Sequence, residues 1–160
     1  MTIPDPQIIS APILPGVFLA ELKQHLRIEH TAEDSLLDSY IMAATRYYER
    51  RTGRTIYETE LQIVLDDFPY CPVLELPRAH PLISITHIKY RDKIGVQTTW
   101  DSAGYVLDAY RGRIAPAYGE TWPSFSAYPI GAVEIRYKAG IASASPQTFA
   151  EDGMLQCIRE

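Results

Sequence analysis

The stretch from Thr31 to Gly53, TAEDSLLDSYIMAATRYYERRTG, constrains this chain more than any other. Leu37, Ile41, Ala44 and Tyr48 recur at helical spacing, and Leu36, Tyr40 and Tyr47 widen the stripe. The segment therefore predicts an amphipathic helix with a broad apolar face. Thr31 with Asp34 three residues later has the form of a capping box, the hydroxyl accepting from a first-turn N–H and the carboxylate reaching back. Glu33 and Asp34 sit at the positive end of the helix dipole, Arg50 and Arg51 at the negative end. Gly53 is placed to adopt the left-handed conformation that closes a helix.

A chain of 160 residues is long enough for one core of ordinary size. Its 46% hydrophobic and 22% charged residues place it among folded globular proteins. No apolar run approaches bilayer length, and MTIPDPQIIS lacks the basic start and apolar core of a signal peptide. Synthesis in the cytosol without export is the expectation. Cys71 and Cys157 are too few and too scattered for a disulfide framework or a zinc cluster, which predicts two buried or half-buried free thiols. The net charge of −5 weighs against a protein that grips nucleic acid through bulk electrostatics.

Residues 1–16 carry Pro4, Pro6, Pro12 and Pro15 and predict an extended arm, packed along a neighbour or frayed. Leu19, Leu22 and Leu26 then share one helical face, so residues 17–54 predict two helices turning on each other across a short link. From 57 to 139 the pattern becomes β. Strands are expected at Leu61–Leu65, around Leu74–Leu76, at Ser84–Tyr90, Val96–Trp100, Tyr105–Asp108 and Arg113–Ala115. Val133, Ile135 and Tyr137 alternate with Glu134, Arg136 and Lys138, the pattern of a strand with one face on a core. Residues 147–160 predict a terminal helix with Phe149, Leu155 and Ile158 among its apolar positions. The expected fold is α+β: a helical framework of two N-terminal helices and one C-terminal helix, with an inserted block of short antiparallel strands. The arm and one domain spanning 17–160 are the expected organisation.

Catalytic motifs fail to appear: there is no nucleophile elbow, phosphate loop, dinucleotide fingerprint or H-E-x-x-H. His25, His30, His80 and His87 lack metal-ligand spacing; the first two are expected at solvent near helix ends and His87 as a cross-strand partner. No catalytic residue, metal or cofactor is assigned. Asp66 and Asp67 are adjacent, point to opposite sides of a strand, and suit a turn better than a paired-acid site. Arg46, Arg50 and Arg54 fall at i, i+4 and i+8 with Arg51 beside them. They form either a basic stripe for phosphate or an acidic partner, or a solvated face neutralised by Glu49 and Glu58. Trp122-Pro123 is either an exposed anchor or a lid over the β core, with the lid favoured.

Several segments in this order resemble the head–tail connector (adaptor, or head-completion) proteins of tailed bacteriophages. The residues that carry the likeness are Leu22-Lys23, Leu26-Arg27, Glu33-Asp34 and Thr52-Gly53-Arg54, followed by LPRAHPLISITHIKY (76–90), YVLD (105–108), GRIAP (112–116), TWP (121–123) and VEIRYKAG (133–140). The resemblance covers roughly residues 17–140. It implies a structural, non-enzymatic role in the virion: a ring, usually of twelve copies, below the portal. Such a ring extends the DNA channel and offers a platform to tail or head-closure proteins. The partners implied are further copies of the chain, the portal, the next neck component, and genomic duplex DNA passing without sequence-specific binding. A terminal helix that docks on the portal is also implied, longer in the family than Gln147–Glu160 here. Candidate contact residues are Arg46, Arg50, Arg51, Arg54, Trp122, Leu155 and Ile158. Two other readings remain open at this point. One is a small cytosolic enzyme or ligand-binding domain with a site near Asp66, His87 and Tyr105. The other is a DNA-binding accessory protein using the arginines.

Overall fold

A computed structural model describes residues 3–10 and 17–140 of the chain. Within them two helices, α1 (Val17–Leu26) and α2 (Asp34–Thr52), precede most of the strands. Strand β1 (Gln7–Ser10) comes first in the chain, and β2 (Thr59–Leu65), β3 (Leu74–Glu75), β4 (Leu82–Arg91), β5 (Gln97–Thr99), β6 (Tyr105–Asp108), β7 (Arg113–Pro116) and β8 (Val133–Ala139) follow α2. The strands form a five-stranded sheet in the order β1-β2-β8-β4-β5 and a three-stranded sheet in the order β3-β7-β6, with every pair antiparallel. The architecture is mixed α and β, with two helices and antiparallel sheets. The predicted terminal helix, with Leu155 and Ile158, lies outside the described residues.

β8 is the central strand of the large sheet, and its alternation puts one face on the core as expected. Val133, Ile135, Tyr137 and Ala139 are buried, between Leu61, Ile63 and Leu65 of β2 and Leu82 and Ile88 of β4. Leu74 and Ile114 of the small sheet join the same core, so the two sheets share one apolar interior. The outward residues of the large sheet are laced by side chains. Arg136 donates to Gln62 Oε1 at 2.7 and 3.1 Å, His87 Nε2 lies 2.8 Å from Glu134, and Thr86 donates to Glu60. His87 is thus a cross-strand partner.

Part of the proline-rich arm is a strand: β1 lies on the edge of the large sheet, with a register shift between Ile8 and Ser10. At the far end of β2, Asp66 accepts from the Gly131 N–H at 2.8 Å and Asp67 from the Phe68 N–H at 2.8 Å, the turn role expected of them. Cys71 is exposed, its thiol donating to the Val73 carbonyl, which corrects the expectation of burial; it sits in the surface segment between β2 and β3. Cys157 lies outside the described residues.

α2 closes at Gly53 as expected but starts at Asp34, later than a Thr31 cap would place it, and two further expectations about it do not hold. No capping box forms. The Thr31 carbonyl accepts the Asp34 N–H, so Thr31 belongs to the turn before the helix, and Glu33 occupies the N-cap without a side-chain bond. The Asp34 carboxylate is drawn instead to Lys23 Nζ of α1 at 2.6 Å. At the other end Gly53 is left-handed at φ +66°, and its N–H donates to the Glu49 carbonyl at 2.9 Å, as expected. The apolar stripe is also narrower than predicted. Leu37, Thr45 and Glu49 are buried, whereas Leu36, Ala44, Tyr40 and Tyr47 are exposed. α1 has only 10 residues and cannot cover a wide face.

Two glycines fix how tightly the segments approach. A Cβ on Gly112 (φ +62°) would strike the Ala79 carbonyl, and one on Gly140 (φ +112°) the Tyr57 carbonyl. Gly112→Ala is expected to cost about 2 kcal/mol or more, from backbone strain and collision together. Gly119→Ala, at φ +83° with open space around it, is expected to cost only about 1 kcal/mol. Urea midpoints of the two variants check the difference, and equal midpoints would refute the close-approach account.

Candidate functional site

The segment Leu76–Leu82, LPRAHPL, is where the end of α2, both sheets and the end of β8 meet. Its carbonyls are almost fully engaged. Pro77 O accepts from the Tyr137 hydroxyl at 2.6 Å, Arg78 O from the Thr55 hydroxyl at 2.6 Å, His80 O from the Thr55 N–H at 3.3 Å, and Pro81 O from the Gly140 N–H at 2.9 Å. The N–H groups of Leu76 and Leu82 donate to Gly112 and Ala109 of the β6–β7 hairpin. A buried loop must satisfy its backbone in this way or lose stability for each orphaned group.

One side chain of that loop reaches the helix. Arg78, itself left-handed at φ +56°, places Nη2 2.6 Å from Glu49 Oε2, while Glu49 Oε1 accepts the Ile56 N–H at 2.9 Å. The pair is largely buried, with side-chain exposures of 12% and 7%. Both carboxylate oxygens are therefore used, and Glu49 ties the last turn of α2 to the chain entering β2 and to the loop before β4. Arg78 Nε is buried without a partner among the described residues. Burial, with the Glu49 charge as a second cause, pushes the Tyr57 phenol up to about 12; burial also raises Tyr137.

Sequence reading missed this joint. Its signal was present: Glu49 follows Ile41 and Thr45 at intervals of four, so a carboxylate falls in the phase of the buried face. A charge at such a position asks for a buried partner.

At the opposite end of the large sheet an aromatic cluster closes the core. Phe68 stacks on Trp122 with centroids 5.4 Å apart, and Trp100, Phe125 and Tyr90 surround it. Trp122 Nε1 donates to the Cys71 carbonyl at 2.8 Å, so the indole lies over the core as a lid. Asp66, His87 and Tyr105 do not converge. Asp66 holds Gly131, His87 faces Glu134, and Tyr105 packs on Trp100.

The arginines lie elsewhere. Arg46, Arg50, Arg51 and Arg54 are all exposed, and none is in an ion pair with a described residue. The expected neutralising partners are engaged otherwise, Glu49 with Arg78 and Glu58 with Lys138 at 3.3 Å. Arg54 follows the left-handed Gly53 and so leaves the helical line. On α2 itself Arg46 and Arg50 flank one side of the exposed row Leu36, Tyr40, Ala43 and Tyr47, and Arg51 flanks the other. Among the described residues no group of three or more His, Cys, Asp or Glu side chains is arranged to hold a metal ion.

Buried polar groups thus fasten α2 to the sheets, and its outward face carries arginines and aromatics that no described residue pairs or covers. The family follows from comparison. The chain belongs to the phage gp6-like head–tail connector family, whose sequence profile matches residues 17–97. It is also similar to solved structures described as the neck of an empty gene transfer agent (GTA) particle computed with C6 symmetry and the virion of a native GTA particle. The first has 29% identity and a TM-score of 0.74, covering 99% of this chain and 83% of that one. The second has 29% identity and a TM-score of 0.73, covering 96% and 82%. A chain from the neck of the native particle computed with C12 symmetry is 30% identical, with a TM-score of 0.68 and coverage of 94% and 78%. No curated protein sequence matches the chain.

Two measurements check the joint. Glu49→Gln keeps an acceptor for Ile56 but removes the charge facing Arg78, and is expected to destabilise by about 3 kcal/mol, with Glu49→Ala worse. Equal losses for the two would refute the double role of the carboxylate. Tyr57 supplies a pH test. A phenol whose folded pKa lies above its unfolded value of about 10 favours the fold fully below that value. The contribution is lost as pH rises from there through about 12. Alkaline unfolding is therefore expected within that window, in step with tyrosinate absorbance. Unchanged stability across it would contradict the burial of this phenol.

Proposed function

We propose that this chain is a structural, non-enzymatic head–tail connector of a tailed phage or phage-like particle. Its copies form a ring, six- or twelve-fold and most simply a dodecamer, below the portal. The ring extends the DNA channel and presents a platform to tail or head-closure proteins. The observation that carries the reading is the match to a particle neck over 99% of the chain, so that the likeness includes the sheets as well as the helices of the family profile. The sixfold and twelvefold symmetry of those necks supports a ring of copies here. A closed ring needs two different complementary surfaces per subunit, and α2 offers one outward face that the described residues leave uncovered.

The overall charge of −5 fits a conduit for duplex DNA. A lumen that held phosphates through many basic contacts would retain the DNA, with strong salt dependence, instead of letting it pass. The portal, the next neck component and the passing genome are the proposed partners, and the virion neck, after synthesis in the host cytoplasm, is the proposed location. Trp122 is assigned to the lid; the arginines of α2 remain the candidate contacts.

Electron cryomicroscopy and quantitative mass spectrometry of purified particles test the reading. The chain is expected in the neck at six or twelve copies per particle, and particles assembled without it are expected to keep portal-bearing heads but lack attached tails. A chain absent from particles, with tails still attached, would overturn the proposal.

A further inference from the structure

We infer that the outer face of α2 is a subunit interface: its basic end docks on the acidic α1–α2 corner of the next copy of this chain. The inference rests on the ring reading above and assigns one of its surfaces.

The face combines two properties. Leu36, Tyr40, Ala43 and Tyr47 recur at i, i+4, i+7 and i+11, the spacing of a seam between packed elements, yet Leu36, Tyr40 and Tyr47 are 49%, 61% and 73% exposed. Arginines border the row on both sides, and none has an ionic partner among the described residues. Apolar surface of this kind asks for a dry partner, with acidic groups at its rim to meet the guanidiniums. Duplex DNA offers the phosphates but no apolar surface to cover the tyrosines, and a face lining a water-filled channel has no use for the seam.

Another copy of the chain offers both. Without Arg46, Arg50, Arg51 and Arg54 the remainder carries −9, against −5 for the whole, so the rest of each subunit is markedly acidic. The corner where α1 turns into α2 exposes Leu26 beside Glu29, Glu33 and Asp38, with Arg27 the opposing charge there; Asp34 is already held by Lys23. Along α2, at 1.5 Å per residue, Asp38 lies about 12 Å from Arg46 and Glu33 about 26 Å from Arg50. The helical pair is thus charge-segregated end to end. Contact between unlike ends of successive copies is heterologous, the type that closes by rotation, whereas pairing of like faces would stop at two.

Sedimentation velocity and native mass spectrometry of the full chain test the pairing. Wild type is expected to form a ring. Arg46→Glu with Arg50→Glu is expected to raise the concentration needed for half-assembly at least about tenfold. Glu33→Arg with Asp38→Arg should do the same, and all four changes together should restore assembly to within about threefold of wild type. Circular dichroism checks the helices; should the arginine variant unfold, Tyr47→Ser takes its place with the same expected weakening. A wild-type ring left intact by these changes overturns the pairing and leaves the ring reading standing, whichever of duplex DNA, residues 141–160 or another neck protein then covers the face. Retention of duplex DNA that falls with the arginines while assembly is unchanged would assign the face to the channel. A species that stops at two copies overturns the head-to-tail geometry. Absence of a ring both in solution and in particles sinks the two readings together.

Discussion

The ion pair between Glu49 and Arg78 determines how the helical and β parts of this molecule sit on one another. It joins residues 29 positions apart, from the last turn of α2 to the loop that precedes β4. Burying two charges is costly unless both are hydrogen-bonded and close together. Glu49 meets that condition through Arg78 and the Ile56 N–H. Removing either partner would leave a charge stranded in a largely buried joint. The geometry is therefore enforced by what would happen without it, more than by any large net gain from the pair.

Around that pair the chain uses backbone where a larger protein would use apolar bulk. Thr55 spends both its N–H and its hydroxyl on the 77–81 loop, Tyr137 sends its hydroxyl there from the central strand, and Gly140 delivers an N–H. Gly112 and Gly140 lack the Cβ that would hold these segments apart. The opposite end of the sheet is closed differently, by aromatic rings packed on Phe68, with a single indole N–H fixing the lid. One end of the β module is thus held by directional polar contacts and the other by non-directional burial. The polar end is the one that carries α2, so the orientation of that helix is set by directional bonds.

Much of this was legible in the sequence, and the reason is locality. Strand β8 announces itself because burial on one face imposes a period of two over seven residues, and no distant partner is needed to see it. The left-handed Gly53 is equally local. Where the outcome depends on a partner far along the chain, the reading failed. Asp34 gives up the capping box for Lys23 of the preceding helix. The widening of the apolar stripe toward Leu36, Tyr40 and Tyr47 is real as a pattern, but periodicity reports that a face is apolar, not who covers it. The arginines were legible as a cluster; that Glu49 and Glu58 do not neutralise them depends on Arg78 and Lys138, which take those glutamates.

That last dependence links the buried joint to the surface. Had Glu49 pointed outward, it would stand one residue from Arg50 and three from Arg46 and offset part of their charge. By drawing Glu49 inward, Arg78 leaves the outer side of the last turns of α2 uniformly positive. The same contact that fixes the helix on the sheet therefore also sets the sign of the face the helix presents. In an otherwise acidic chain this is a means of holding the two ends of one helical pair at opposite charge, and opposite ends are what successive subunits of a closed ring bring together.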